Sequence, residues 1–350
     1  MRALAVLTLR DEGAFLLEWL AHHRAVGFTD FLVFSNDCRD GTDAMLDRLQ
    51  EMGLLVHERN DGPHEGGVQW AALKRADRHP LVAAADWILA LDIDEFVNIH
   101  TGDHRLEDLL DALPEADAIT LTWRLFGNCG IVRYEDRPIT EQFLRAAPKI
   151  LHWPWRAAMF KTLFRNDGSY RKLGVHRPRN PDPARLARLR WFDGSGRELG
   201  PRFRRQGLFS PFGRDNYRLV QLNHYPLGAM ESYVVKAARG RAVHAGQALG
   251  MSYWSERNWC CAEDRSILAL KAARDGELAA LHDDAALARL HAAAVCWRRK
   301  RFESLMAEEP FRALYGRLLM TPPARPLPPE TARELYRHAQ RNSPPGTGSA

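Results

Sequence analysis

Apolar residues fill positions 3–9 (Ala-Leu-Ala-Val-Leu-Thr-Leu), and the chain then turns abruptly polar at Arg10-Asp11-Glu12. A short apolar run closed by polar residues is the pattern of a strand buried on both faces, as in a parallel sheet. From about Glu12 to Ala25 the period changes. Phe15, Leu16, Trp19 and Leu20 fall at helical spacing, and Gly27 supplies a stop. Residues 31–34 read as a second strand that ends at Ser35-Asn36-Asp37, and the turn Arg39-Asp40-Gly41 leads into a helix with Thr42 as its N-cap. A third strand is expected at 54–56, a helix over about 68–78 after Gly62, Gly66 and Gly67, a fourth strand at 87–91 and a fifth at 118–122. Strand and helix signals alternate, which predicts an α/β three-layer sandwich with a mostly parallel central sheet and its chemistry at the carboxyl ends of the strands.

The stretch 126–225 is irregular and rich in Arg, Pro, Gly and aromatic residues, with one clear strand pattern at 158–164. Long ordered loops of this kind tend to carry function. Beyond Met230 the period is helical, over 230–248, 262–274, 284–300 and 302–318. The implied organisation is a substrate-binding α/β domain at 1–228, a helical region at 229–320 that completes the site, and a Pro-rich, flexible tail at 321–350 with a short helix near 329–341.

Composition changes this picture little. Over 350 residues, 49 Lys and Arg against 44 Asp and Glu leave a net charge of +5, too mild to argue for nucleic acid. Arginine dominates the basic set, and its planar fork suits phosphate, although solvated surfaces also carry it. No apolar run approaches the ~20 residues of a membrane helix, and the N-terminal run is too short and too soon charged for a signal peptide. Five cysteines (38, 129, 260, 261 and 296) form neither a zinc pattern nor a disulfide framework. A reducing cytoplasm, with peripheral contact at the inner membrane, is the expected setting.

The strongest chemical signal is Leu89-Ala90-Leu91-Asp92-Ile93-Asp94-Glu95-Phe96. Carboxylates at i and i+2 of a strand point the same way, and Ile93 points into the core. Hard oxygen donors so placed suit Mg2+ or Mn2+ beside a diphosphate. Solvated aspartates are the alternative, but three adjacent acids repel one another unless something cationic sits among them.

Asp92-Ile93-Asp94-Glu95-Phe96 resembles the DxD-type motif of bacterial family 2-like glycosyltransferases, which have the Rossmann-like GT-A fold. Leu9-Arg10-Asp11-Glu12, Glu18-Trp19, Phe34-Ser35-Asn36-Asp37 and Asp40-Gly41-Thr42 resemble the same family upstream. So do Trp123-Arg124-Leu125-Phe126-Gly127, Lys161 to Arg165 with Gly174-Val175-His176, and Asn223-His224-Tyr225 followed by Ser232, Lys236 and Arg239. The resemblance spans residues 3–270; Asp11 departs from the family's usual Asn. It implies that Arg10, Glu12, Asp37, Lys74, Asp92, Lys236 and Arg239 bind the nucleotide, with Arg75 near it. It implies a metal at Asp92 and Asp94, with His176 or His224 as a further ligand that would favour Mn2+ over Mg2+. Trp123, Phe126 and Gly127 would form the acceptor wall, and Trp153 and Trp155 are further candidates for stacking on sugar rings. An inverting transfer needs a base, for which Asp264, Glu263, Glu95 and Asp136 all qualify.

The activity implied is transfer of a sugar from a UDP- or GDP-sugar to a saccharide or lipid-linked hydroxyl, in surface polysaccharide or glycolipid synthesis, with no nucleic-acid partner. Two alternatives stay open: a sugar-phosphate nucleotidyltransferase, for which Arg10-Asp11-Glu12-Gly13 is too acidic and poor in glycine, and a non-catalytic carbohydrate-binding relative. A phosphatase of the Asp-x-Asp type fits less well, because its pair belongs on the first strand.

Overall fold

The computed structural model describes residues 1–240 and 249–341. In chain order its strands are β1 (Ala3–Leu9), β2 (Asp30–Ser35), β3 (Val56–Arg59), β4 (Trp87–Leu91), β5 (Glu95–Ile99), β6 (Ala118–Leu125), β7 (Arg145–Ala146), β8 (Phe160–Arg165), β9 (Tyr170–Lys172), β10 (Arg179–Pro181), β11 (Trp191–Asp193), β12 (Val220–His224) and β13 (Ala262–Glu263). Its helices are α1 (Gly13–Val26), α2 (Thr42–Glu51), α3 (Val68–Ala76), α4 (Pro80–Ala84), α5 (Leu106–Ala112), α6 (Ile139–Gln142), α7 (Met230–Arg239), α8 (Met251–Ser255), α9 (Lys271–His282), α10 (Ala285–Leu305), α11 (Glu309–Met320) and α12 (Pro329–Arg341).

Nine strands form one mixed sheet in the order β3-β2-β1-β4-β8-β6-β12-β5, with β11 added beside β6. β3, β2, β1 and β4 run parallel, whereas β8 and β5 run antiparallel to their neighbours. Helices cover both faces and a helical region follows, the α/β class expected from the alternating pattern. β1 is buried at every position but Thr8, because Ala3, Ala5, Leu7 and Leu9 share one core with Leu16, Trp19 and Leu20 of α1, and Leu4 and Val6 share another with Ala72, Leu73 and Ala76 of α3. Trp19 of α1 is fully buried, a contribution of about 2–3 kcal/mol, and its indole N–H donates to the Glu95 carbonyl at 3.1 Å. That bond ties the first helix to the acidic segment.

Several boundaries differ from the sequence expectation. The third strand begins two residues later, at Val56. Thr42 is the first helical residue rather than the cap: Gly41 precedes it in the left-handed region, and the Thr42 hydroxyl is taken up by Asp40 and by the Glu12 N–H. β5 was missed, since Glu95-Phe96-Val97-Asn98-Ile99 follows β4 after only three residues. The expected helix over 230–248 ends at Arg239, and residues 241–248 lie outside the described residues, as do 342–350 of the expected flexible tail. The helix expected at 262–274 begins as a 3-10 turn at Ser266–Leu270 and continues as α9. The helix expected at 302–318 is α11, because α10 runs on to Leu305.

The cysteines correct the sequence reading. Cys129 and Cys260, 131 residues apart, form a disulfide that joins the loop after β6 to the segment before β13. Spacing along the chain carries no sign of a pair brought together by tertiary packing. The same junction explains Gly127, where a Cβ would lie 2.4 Å from the Trp259 carbonyl oxygen.

Candidate active site

The acidic segment lies at the carboxyl end of β4. Asp92, Ile93 and Asp94 form the turn into β5, closed by the Glu95 N–H donating to the Asp92 carbonyl at 3.1 Å. The two aspartates therefore stand in a turn and not on a strand, and each has its own set of partners. Asp92 Oδ2 is 2.9 Å from Lys161 Nζ, and its Oδ1 accepts from Gln69 at 3.1 Å. Asp94 Oδ2 accepts from Lys236 Nζ at 2.6 Å, and its Oδ1 stands 3.6 Å from His224 Nε2. Ile93 is buried, as expected.

Behind the turn lies an enclosed charge network. Glu95 and Lys161 are both fully buried, 3.4 Å apart. Trp123 donates its indole N–H to Glu95 Oε1 at 2.6 Å, and the other carboxyl oxygen takes the Asp92 N–H at 2.8 Å. Burial pushes the Glu95 carboxyl up to about 8; Lys161 opposes this while Asp92 and Asp94 add to it. Burial works against the charge on Lys161, but Asp92 and Glu95 outweigh it and its pKa is raised. Asp94 is held well below the usual carboxylate range: burial opposes its charge, and Lys236 and His224 more than compensate.

Two imidazoles complete this face. His224, opposite Glu95 in the β12–β5 pairing, packs on the Trp123 ring with centroids 4.4 Å apart. His176 lies 5.6 Å from the same ring. Burial lowers both, His176 to about 4 with Lys161 adding to the effect, so both are neutral at neutral pH. His176 Nδ1 faces the Phe160 carbonyl at 3.0 Å. A carbonyl only accepts, so the proton sits on Nδ1 and Nε2 is left as a lone-pair donor.

Asp94 Oδ1 and His224 Nε2 converge just beyond hydrogen-bond range, and His224 Nδ1 is buried without a partner. A hard carboxylate with a neutral imidazole suits Mn2+ better than Mg2+. Among the described residues no three His, Cys, Asp or Glu side chains come together as a group that could hold a metal ion.

The first strand–helix turn faces α7. Arg239 binds Glu12 Oε1 at 2.5 Å and also donates to the Arg10 carbonyl. Arg298 of α10 stands 3.9 Å from the other Glu12 oxygen and donates to the Ser232 hydroxyl at 3.3 Å. Ser232 is thus engaged with α10, while Lys236 and Arg239 reach the acidic turns. Asp11 has a φ of 49°, where Asp and Asn are the best-tolerated residues after glycine, so Asp serves where the resembling family has Asn. Its carboxylate receives the Arg39 N–H at 2.6 Å. Asp37, also at positive φ, is exposed at the end of β2, with the Gly62 N–H 3.3 Å from its Oδ1.

Other expected residues lie elsewhere. Asp264 is enclosed by Ser266, Gln221 and Arg124. Gln221 and Asn223 share one face of β12 and His224 takes the other, so the sheet separates Asp264 from the His224 face. Glu263 is exposed and paired with Arg265, and Asp136 is paired with His291. Of the candidate bases, only Glu95 is brought to Asp92 and Asp94. Phe126 and Gly127 are buried against Tyr225 and Trp259 and present no open wall. Lys74 and Arg75 are exposed on α3 and line a separate basic cavity of about 750 Å3 with Arg78, Arg171 and Lys172.

Sequence reasoning passed over Lys161, Gln69 and Arg298 as site residues. Lys161 had a visible signal, a charge between Phe160 and the Thr162-Leu163-Phe164 stretch of β8, and a charge buried in such a strand requires a counter-ion.

The model of Glycosyltransferase family 92 matches residues 6–187. A glycosyltransferase family 92 protein of Ricinus communis is 26% identical over 98 residues, 27% of this chain and 16% of that protein. Another from Oryza sativa subsp. japonica is 24% identical over 139 residues, 38% of this chain and 22% of that protein. The alignments thus span less than a quarter of either plant protein. Among solved structures, S. aureus TarS 1-349 in complex with UDP is similar at 14% identity and a TM-score of 0.30, covering 47% of each chain.

Proposed function

The chain belongs to glycosyltransferase family 92, a family distinct from the family 2 that its motifs resemble, and from this premise we propose that it transfers a sugar from a UDP- or GDP-sugar to a hydroxyl acceptor. The observation that carries the reading is a set of cations paired with the carboxylates that follow the adjacent strands β1 and β4. Lys161 is paired with Asp92, Lys236 with Asp94 and Arg239 with Glu12. Three buried or half-buried cations held on these carboxylates would offset a diphosphate that enters among them.

Asp94 with His224, and Asp92 or His176 beside them, would hold Mn2+ or Mg2+. Such an ion supplies Lewis-acid stabilisation of the leaving diphosphate. Lys236 and Arg239 add charge from α7 on the opposite side. Lys161 fixes Asp92 in place, and Trp123 and Glu95 fix the floor beneath it. Asp37, exposed at the end of β2, is free to meet the nucleoside. The acceptor is a saccharide or a lipid-linked saccharide, and inversion at the anomeric carbon with a carboxylate base is the proposed course. Among the described residues no helix is long and apolar enough to cross a membrane.

The test is thermal melting against a panel of nucleotides, each with and without Mn2+. A metal-dependent rise with UDP or GDP is expected. No shift with any nucleoside diphosphate at millimolar concentration would remove the reading in favour of a carbohydrate-binding relative.

A further inference from the structure

Five rings from three distant parts of the chain gather on one surface. Trp153 and Trp155 meet edge-on with centroids 4.3 Å apart, and Trp155 lies 6.2 Å from Tyr336 of α12. Phe212 lies 6.2 Å from Tyr336 with the two planes only 21° apart, and His152 packs on Phe212 at 5.1 Å. Phe212 is 47% exposed and Tyr336 37%. Water contact at clustered rings is unfavourable, and exposed apolar clusters of this kind mark binding surfaces.

The cluster is built onto the active site. The Met159 carbonyl accepts the Trp123 N–H at 2.9 Å, and the next carbonyl, of Phe160, holds His176. Trp155 is four residues upstream of Met159, so its Cα lies within about 15 Å of that bond. The loop bearing Phe212 is tied to the same backbone by the Ser210 N–H, which donates to the Ala158 carbonyl at 2.8 Å. The segments that bear the rings are therefore anchored to the same backbone, 158–160, that holds Trp123 and His176.

Resting on the transferase reading, we infer that His152, Trp153, Trp155, Phe212 and Tyr336 form an extended acceptor subsite that stacks on successive sugar rings of a glycan chain. The apolar face of a pyranose matches an aromatic face, and the near-parallel rings of Phe212 and Tyr336, both partly exposed, offer such faces side by side with the two tryptophans. The exposed guanidinium groups of Arg156 and Arg214, beside the rings in sequence and without an acidic partner among the described residues, can donate to sugar hydroxyls at the rim. The platform gives the last described helix, α12, a function: it carries Tyr336 to the site.

The experiment uses the full chain and follows tryptophan fluorescence during titration with cello- and chito-oligosaccharides of graded length. Nucleotide melting shifts and binding to phosphatidylglycerol vesicles are measured in parallel. Affinity should rise with oligosaccharide length. Phe212→Ala and Tyr336→Ala should each weaken the longer sugars about fivefold, on the order of one stacked ring, and Tyr336→Phe should retain binding. A protein that shows the nucleotide shift but binds no oligosaccharide, or whose alanine variants bind as the wild type does, overturns the platform and leaves the transferase reading in place. Vesicle binding that the alanine variants lose, without oligosaccharide binding, overturns it in favour of a lipid surface. Absence of both nucleotide and oligosaccharide binding removes the transferase reading and the platform with it.

Discussion

Lys236 Nζ lies 2.6 Å from Asp94 Oδ2, although 142 residues separate the two in the chain. The bond places the helical region against the acidic turn of the sheet, so the site consists of two parts that the fold brings together. Asp94 is the point where they meet, and Lys236 and His224 hold its carboxylate well below the usual range against the cost of burial.

Asp94→Asn keeps the shape of the side chain and removes its charge. Turnover of nucleotide sugar should fall at least about 100-fold, the scale for loss of a charge-stabilising group. The Mn2+-dependent melting shift with UDP or GDP should vanish while the circular dichroism spectrum stays that of the wild type. Wild-type turnover in this variant would remove Asp94 from the site.

Lys161→Met leaves Asp92 and Glu95 facing each other without their cation. Breaking a buried pair by removing one partner costs about 3–5 kcal/mol, to be read from urea denaturation. Adding Glu95→Gln should recover part of the loss, because the doubly altered protein no longer buries an acid beside Asp92 without a cation. A double-mutant cycle with zero interaction energy would argue that the two side chains do not share a network.

Glu95 makes stability fall as pH rises. Its folded pKa is raised to about 8 from the ordinary 4.5. The folded state therefore binds more protons than the unfolded chain between those values, and the contribution is complete below about 4.5 and lost as pH passes 8. Asp94 acts in the opposite sense, but its contribution is already complete above its unfolded value of 3.8. Unfolding free energies at pH 5 and pH 8 should show the decline, and Glu95→Gln should flatten it. An unchanged slope in that variant would assign the pH dependence to another group.

Cys129→Ser opens the tie between the loop after β6 and the segment before β13. A loss of about 2–4 kcal/mol is expected, and dithiothreitol should lower the wild-type melting temperature while leaving the variant unaffected. A wild type insensitive to the reductant would contradict a stabilising bridge.

Local pattern marked the parallel half of the sheet and the acidic residues at the end of β4, although it read Asp92 and Asp94 as strand positions where the structure has a turn. β1, β2 and β4 are apolar runs closed by polar residues, and this local pattern suffices to mark strands buried on both faces. Asp92 and Asp94 were legible for the same reason, since clustered acids beside a buried strand require a cation. What they pair with was not legible. Lys161 arrives on an antiparallel strand, Lys236 on a helix 142 residues away, and both pairings depend on how the chain crosses the sheet. The Cys129–Cys260 bridge, the isolation of Asp264 behind β12 and the meeting of Trp155 with Tyr336 belong to the same class. Side-chain pattern is a property of neighbours along the chain, whereas ion pairs, disulfides and shared ring surfaces arise between segments that only packing brings within a few ångströms.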